Sequence, residues 1–131
     1  ARDYAKRNIA MVAINSNDFD AYSGDAPEQM QKDIDRFGYG FPYVYDESQE
    51  IAKSYRAACT PEFYLFDAER KLVYRGRFDA ATPGNGEPVT GAELRCAADA
   101  LLAGTTPDQD QKPGIGCNIK WKPGNAPDYF G

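Results

Sequence analysis

The sequence contains no histidine. Within these 131 residues that excludes Ser-His-Asp and Cys-His catalysis, together with every zinc site that uses a His ligand. Cysteine is scarce: Cys59, Cys96 and Cys117, with no Cys-x-x-Cys pair. Such spacing offers neither a zinc knuckle nor a complete dithiol redox motif, and an odd count argues against a secreted disulfide framework. A reducing compartment, the cytoplasm, is therefore the expected location. No apolar run approaches the ~18 residues of a membrane span, and no signal-peptide pattern opens the chain. Basic excess is lacking too, with 15 Lys and Arg against 20 Asp and Glu and a net charge of −5. Neither nucleic acid nor an anionic membrane surface is an expected partner. Nothing in the composition calls for a metal or an organic cofactor.

What is present is the composition of one soluble domain, 42% apolar and 27% charged. Its centre is the stretch Ala58-Cys59-Thr60-Pro61-Glu62-Phe63-Tyr64-Leu65-Phe66-Asp67. Phe63 to Phe66 form an unalternating apolar run, which predicts a strand covered on both faces. Pro61 cannot donate to a ladder, so it belongs at the mouth of that strand, beside a thiol.

Residues 1 to 8 have the pattern of the last two turns of a helix, with Asn8 as its C-terminal cap. They begin in mid-element, so upstream sequence is expected. Ile9 to Ile14 is a six-residue apolar run that predicts a second buried strand. Asp25-Ala26-Pro27-Glu28 predicts a helix start with Asp25 as cap, and Met30, Ile34 and Phe37 mark one face before Gly38. Pro42 to Tyr45 reads as a short strand toward an edge. Asp46 and Gln49 predict a capping pair for a helix with Ile51, Ala52 and Tyr55 on its apolar face. After the Pro61 strand come a turn at Asp67 and a hairpin partner, Lys71 to Gly76. Thr90-Gly91-Ala92-Glu93 predicts a capping box, ahead of a helix with Leu94, Ala97, Ala98, Leu101 and Leu102 as its stripe. Residues 1–104 thus form the predicted domain, and 105–131 a Gly/Pro-rich extended arm. Ile115, Ile119, Trp121, Tyr129 and Phe130 predict that the arm lies across the domain or a partner subunit, which admits a homodimer through the arm.

Strands alternating with helices, followed by a hairpin and a final helix, mean an α/β fold with an antiparallel edge. Thr60-Pro61 before the strand, then hairpin, then capped helix, resembles the C-terminal two-thirds of a thioredoxin-like fold. The tail Gly116-Cys117-Asn118-Ile119-Lys120-Trp121-Lys122-Pro123-Gly124, the loop Thr82 to Gly86 and the segment Ala13 to Asp18 are similar to a bacterial group of redoxins in the peroxiredoxin (AhpC/TSA) class. The resemblance implies a mixed sheet flanked by helices, N-terminally incomplete here, because in that group another strand leads into the helix with the reactive cysteine. It further implies a cis Thr60-Pro61 peptide with the Thr60 backbone open for pairing with a substrate segment.

The function expected is thiol-disulfide exchange or thiol-dependent antioxidant activity, with a disulfide-bearing protein or peroxide as substrate and a thiol as electron donor. Its primary nucleophile would lie upstream of residue 1. Thr60, Pro61 and Trp121 are the candidate substrate-binding residues. Cys117, in a flexible arm near Lys120 and Lys122, is the candidate resolving thiol, ahead of Cys59. Against these stand plain alternatives: Cys59 as a space-filling core thiol, Cys117 packed under Trp121, and Pro61 as a trans strand opener. Cys96 reads as a bystander. Asp18, Asp20, Asp25, Asp46, Glu47 and Glu50 read as caps and loop charges, not as an acid/base pair or a metal site. Typical peroxiredoxins have an Arg where this chain has Cys-Thr-Pro, which favours disulfide exchange over peroxidase chemistry. The competing function is a non-catalytic thioredoxin-like module that binds extended peptides at the Pro61 corner.

Overall fold

The apolar runs and capped segments form, in chain order, α1 (Arg2–Ala5), β1 (Ala13–Asn15), α2 (Pro27–Phe37), β2 (Tyr43–Tyr45), α3 (Glu50–Ser54), β3 (Cys59–Thr60), β4 (Phe63–Phe66), β5 (Leu72–Gly76), α4 (Ala92–Leu102) and β6 (Cys117–Asn118). A computed structural model describes residues 1–130. They divide into two units: Ala1–Ala57 with the residues from Ile119 onward, and Ala58–Asn118. No helix among the described residues is long and apolar enough to cross a membrane.

In the first unit, Asn8 adopts the left-handed conformation (φ 64°) and the Ile9 N–H donates to the Tyr4 carbonyl at 3.0 Å, closing the end of α1. The buried strand expected over Ile9 to Ile14 is a correction. Only Ala13–Asn15 forms β1, parallel to β2 in the register Ala13↔Tyr43, Ile14↔Val44 and Asn15↔Tyr45. The run gains a ladder only where β2 lies beside it, so Met11 and Val12 precede the pairing and are exposed. In α2 the cap is Ala26 with Pro27 following, not Asp25. Asp25 instead closes a 3₁₀ turn, and its carboxylate accepts from Asn17 Nδ2 at 3.2 Å. Met30 is buried, whereas Phe37, expected on the same covered face, is 55% exposed and stacks on Tyr39.

The expected Asp46–Gln49 pair divides its labour. Asp46 does cap α3, accepting from the Ile51 and Ala52 N–H groups at 3.3 and 3.0 Å. Gln49 is not part of a box; it is fully buried and bonded to other segments of the unit. Its Nε2 donates to the carbonyls of Ser16 (2.7 Å) and Lys120 (3.0 Å). Its Oε1 accepts from the Lys122 N–H (3.0 Å) and Asn125 Nδ2 (2.8 Å). One amide therefore fastens the C-terminal residues to the loop after β1.

In the second unit β4 and β5 form an antiparallel hairpin, Phe63↔Gly76 through Phe66↔Leu72. Asp67 Oδ1 holds its turn by accepting from the Glu69 and Lys71 N–H groups, both at 2.9 Å. The strand expected to be covered on both faces is not: Leu65 is buried and Phe66 exposed. Phe63 and Tyr64 are half-buried, and among the described residues β5 is the strand's only ladder partner.

The Thr90–Glu93 box forms by half: Thr90 Oγ1 accepts from the Ala92 N–H at 3.2 Å, as expected, and the Glu93 half is a correction. Glu93 turns away from the helix start to fork Arg77, with N–O distances of 2.6 to 3.0 Å. Asp79 takes the part expected of Glu93, accepting from the Thr90 and Gly91 N–H groups at 2.7 Å each, just ahead of α4, and from Ala81 N–H at 3.0 Å. These bonds, that of Gly91 foremost, hold the Asp79 carboxyl below the usual carboxylate range against an opposing burial effect. A depressed carboxylate stabilises the fold above its unfolded pKa, and that contribution disappears as pH falls through the folded one. Asp79→Asn is expected to flatten the acid limb of the stability curve below about pH 4. Urea midpoints measured against pH check it, and a limb identical to wild type would refute the assignment.

Candidate functional site

The site is assembled within the second unit around the corner between β3 and β4. The Thr60–Pro61 peptide is cis, as the resemblance implied. β3 pairs antiparallel with β6, placing Cys59 opposite Asn118 and Thr60 opposite Cys117. Directly opposed residues share a face of a two-stranded ribbon and neighbours along a strand alternate. Cys117 therefore lies on the Thr60 face and Cys59 on the other. The two candidate thiols come to one ribbon but point apart, so no disulfide joins them without backbone movement. All three cysteines are free thiols.

Their environments differ. Cys117 is exposed and Cys59 half-buried. Cys59 Sγ lies 3.8 Å from the Pro61 carbonyl. Burial pushes its pKa up, and the Glu62 charge adds to this; the Gly116 N–H and the Arg75 guanidinium oppose them. Cys59 thus stays a thiol where a nucleophile would be a thiolate. Glu62, missed in the sequence, sits at the centre of the corner with its side chain 8% exposed. Its carboxylate accepts from Arg75 Nε at 2.9 Å and from the Ala58 N–H at 3.1 Å. Burial, with Glu62 beside it, also raises the Tyr64 phenol far above its ordinary value. The signal was available: an acidic residue directly after Thr-Pro, with an Arg on the facing strand.

Removing the Glu62 charge takes away one of the two effects that push the Cys59 pKa up. The pH profile of Cys59 alkylation by iodoacetamide is expected to sit above that of an ordinary thiol and to move to lower pH in Glu62→Gln. Peptide mapping by mass spectrometry reads both, and an unmoved profile in the variant would show that Glu62 does not poise this thiol.

Beside the corner is an apolar cavity of about 190 Å³, lined in part by Pro61, Phe78, Pro83, Val89, Ile115 and Gly116. Of the other sequence candidates, Cys96 lies on the exposed side of α4. Trp121 belongs to the first unit, edge-on to Phe130 at 6.4 Å between centroids, with its buried Nε1 lacking a hydrogen-bond partner. The corner therefore gathers Cys59, Thr60, Pro61 and Cys117 within one unit, and Trp121 belongs to the other. No cluster of three His, Cys, Asp or Glu side chains suited to a metal ion occurs among the described residues.

The sequence model of the AhpC/TSA family matches residues 1–75, which include Cys59, Thr60 and Pro61 and stop short of Cys117. A solved structure of an uncharacterized conserved protein from Geobacillus kaustophilus is similar at 56% identity and a TM-score of 0.91, covering 94% of this chain and 65% of that one. A hypothetical protein from Sinorhizobium meliloti 1021 is similar at 54% identity and a TM-score of 0.91, covering 94% and 67%. The chain thus spans about two-thirds of the length of these relatives. A search of curated proteins finds no match.

Proposed function

This chain belongs to the AhpC/TSA family, and from that premise we propose thiol-disulfide exchange as its chemistry, with Cys117 as the resolving thiol. The observation that carries the reading is the β3–β6 register, which holds an exposed thiol opposite Thr60 at the Pro61 corner. In this reading the first nucleophile is the cysteine that the family resemblance puts on sequence upstream of residue 1; Cys59 suits that role less, since burial and Glu62 push its pKa up. The tail Gly116 to Gly124 belongs in this reading to the bacterial redoxin group that ends in the same motif.

Electrons and atoms balance in two exchanges. The upstream thiolate bonds to one sulfur of the substrate disulfide and expels the other as a thiolate. Cys117, as thiolate, then attacks the enzyme sulfur of that mixed disulfide and expels the second substrate thiolate. The substrate gains two electrons, and the protein keeps a disulfide between Cys117 and the upstream cysteine. An external thiol reduces it. Thr60 supplies the backbone edge for the substrate segment, and Pro61 shapes the corner. Cys-Thr-Pro in place of the peroxiredoxin Arg favours a disulfide over peroxide as substrate.

The experiment is differential thiol labelling of the full-length protein before and after a small-molecule disulfide, read by mass spectrometry. Cys117 is expected to become protected and Cys59 and Cys96 to stay labelled. If no cysteine changes state while an extended peptide still binds, the protein is the non-catalytic peptide-binding module instead.

A further inference from the structure

We propose that residues 111–117 are an autoinhibitory strap: the chain's own segment occupies the backbone edge at Thr60 on which an outside extended polypeptide would pair, and it must lift for that polypeptide to bind. The inference deepens the proposed function and rests on its reading of Thr60 and Pro61 as the substrate edge.

The strap starts at the open edge of β5. Gln111 uses its side-chain amide as a strand would use its backbone: Oε1 accepts from the Arg75 N–H at 3.0 Å and Nε2 donates to the Val73 carbonyl at 2.9 Å. Lys112 continues the imitation, its carbonyl accepting from the Arg77 N–H at 3.0 Å. The edge of a strand is a template for pairing, and here the chain blunts its own. The segment then crosses the Pro61 corner and pairs with β3, Thr60 against Cys117.

Glycines make the crossing fit. A Cβ at Gly116 would overlap the Thr60 carbonyl and Pro61 N. One at Gly114 would meet Cys59 Sγ at 2.5 Å, and one at Gly76 would run into the Lys112 carbonyl. Backbone therefore lies directly on backbone at the corner, leaving no room for a second strand in the same place. The grip is nevertheless shallow. Ile115, Cys117 and Asn118 are exposed, so the segment is held by amide bonds and close approach with little buried apolar area. Segments with few buried contacts are the ones that open at low cost.

The test uses a fluorescein-labelled peptide copying residues 112–118, with Ser in place of Cys117, so that no sulfur chemistry enters. Its binding to the full-length protein is read by fluorescence anisotropy, alongside hydrogen exchange over residues 114–118. Gly116→Val, which cannot seat beneath Thr60, is expected to bind the peptide at least tenfold more tightly than wild type, with faster exchange in the segment. Gln111→Ala, which loosens the anchor and leaves the Thr60 edge untouched, is expected to bind several-fold more tightly; if Gly116→Val does not fold, this variant decides alone by the same readouts. Released segments without a gain in binding would overturn the strap. So would exchange that stays slow in the variants, since the close packing would then not be what holds it. Failure of the oxidoreductase reading shows separately, as cysteines that do not change state under a disulfide challenge.

Discussion

Replacing Cys117 with serine in the full-length protein is expected to slow disulfide turnover by about 10²-fold or more when the external thiol is sub-millimolar. A tethered thiol competes with one in solution through its effective concentration, which is on the order of millimolar for a flexible linker and far higher when it is positioned. The β3–β6 ladder positions it, with Thr60 directly opposite, once the substrate segment has left that edge and residues 111–117 have seated again. In the proposed exchange, a mixed disulfide between substrate and an upstream cysteine would, without the Cys117 sulfur, have only external thiol to resolve it. Two readouts therefore move together: turnover falls, and the mixed disulfide accumulates as a mass shift. Raising the external thiol should restore turnover in the variant in proportion to concentration, which simple misfolding would not do. Cys59→Ser should leave turnover within about threefold, since that thiol faces the other side of the ribbon and is held protonated. Equal losses in the two variants, or none in either, would remove Cys117 from the resolving role.

Gln49→Leu is expected to destabilise the first unit by about 3 kcal/mol, the scale set by stranding several buried polar partners at once. Leucine fills nearly the same volume, so the cost lies in the groups left behind: the Ser16 and Lys120 carbonyls and the Lys122 N–H, each bonded to the Gln49 amide. Urea unfolding should show the lowered midpoint. Hydrogen exchange should show the Lys122 amide losing protection first, because its acceptor is gone while the Lys120 N–H still donates to Asn17 Oδ1 at 2.9 Å. A loss under about 1 kcal/mol with Lys122 still protected would mean that water replaces the amide without cost.

The elements were largely legible and their environments were not. The α4 stripe is an example: its spacing marked Ala97 and Ala98, and both are buried. Helix ends went the other way. Thr90, Glu93, Asp25 and Gln49 all carry capping chemistry in sequence, yet at α4 only Thr90 keeps its role, while Asp79, eleven residues upstream of Thr90, takes the part of Glu93, which pairs with Arg77. A cap needs only an acceptor within reach of free N–H groups, and long-range folding can deliver a better one than the local side chain. Apolar runs misled for a related reason. Unbroken hydrophobicity says that a strand can be covered, and Val12 and Phe66 show that coverage depends on what the fold lays against it.

At the site the division is similar. Residue types settled what chemistry was excluded, because no arrangement of this chain yields a histidine, and they marked Cys59, Thr60, Pro61 and Cys117 as the residues to watch. That Cys117 faces Thr60 while Cys59 turns away, poised by Glu62, came only from the antiparallel register of segments 57 residues apart in the chain. Local sequence fixes period and turn chemistry within a few residues. Which distant backbones meet, and therefore which thiol is half-covered and which is open, is decided by three-dimensional pairing, where a shift of one residue would exchange the two faces.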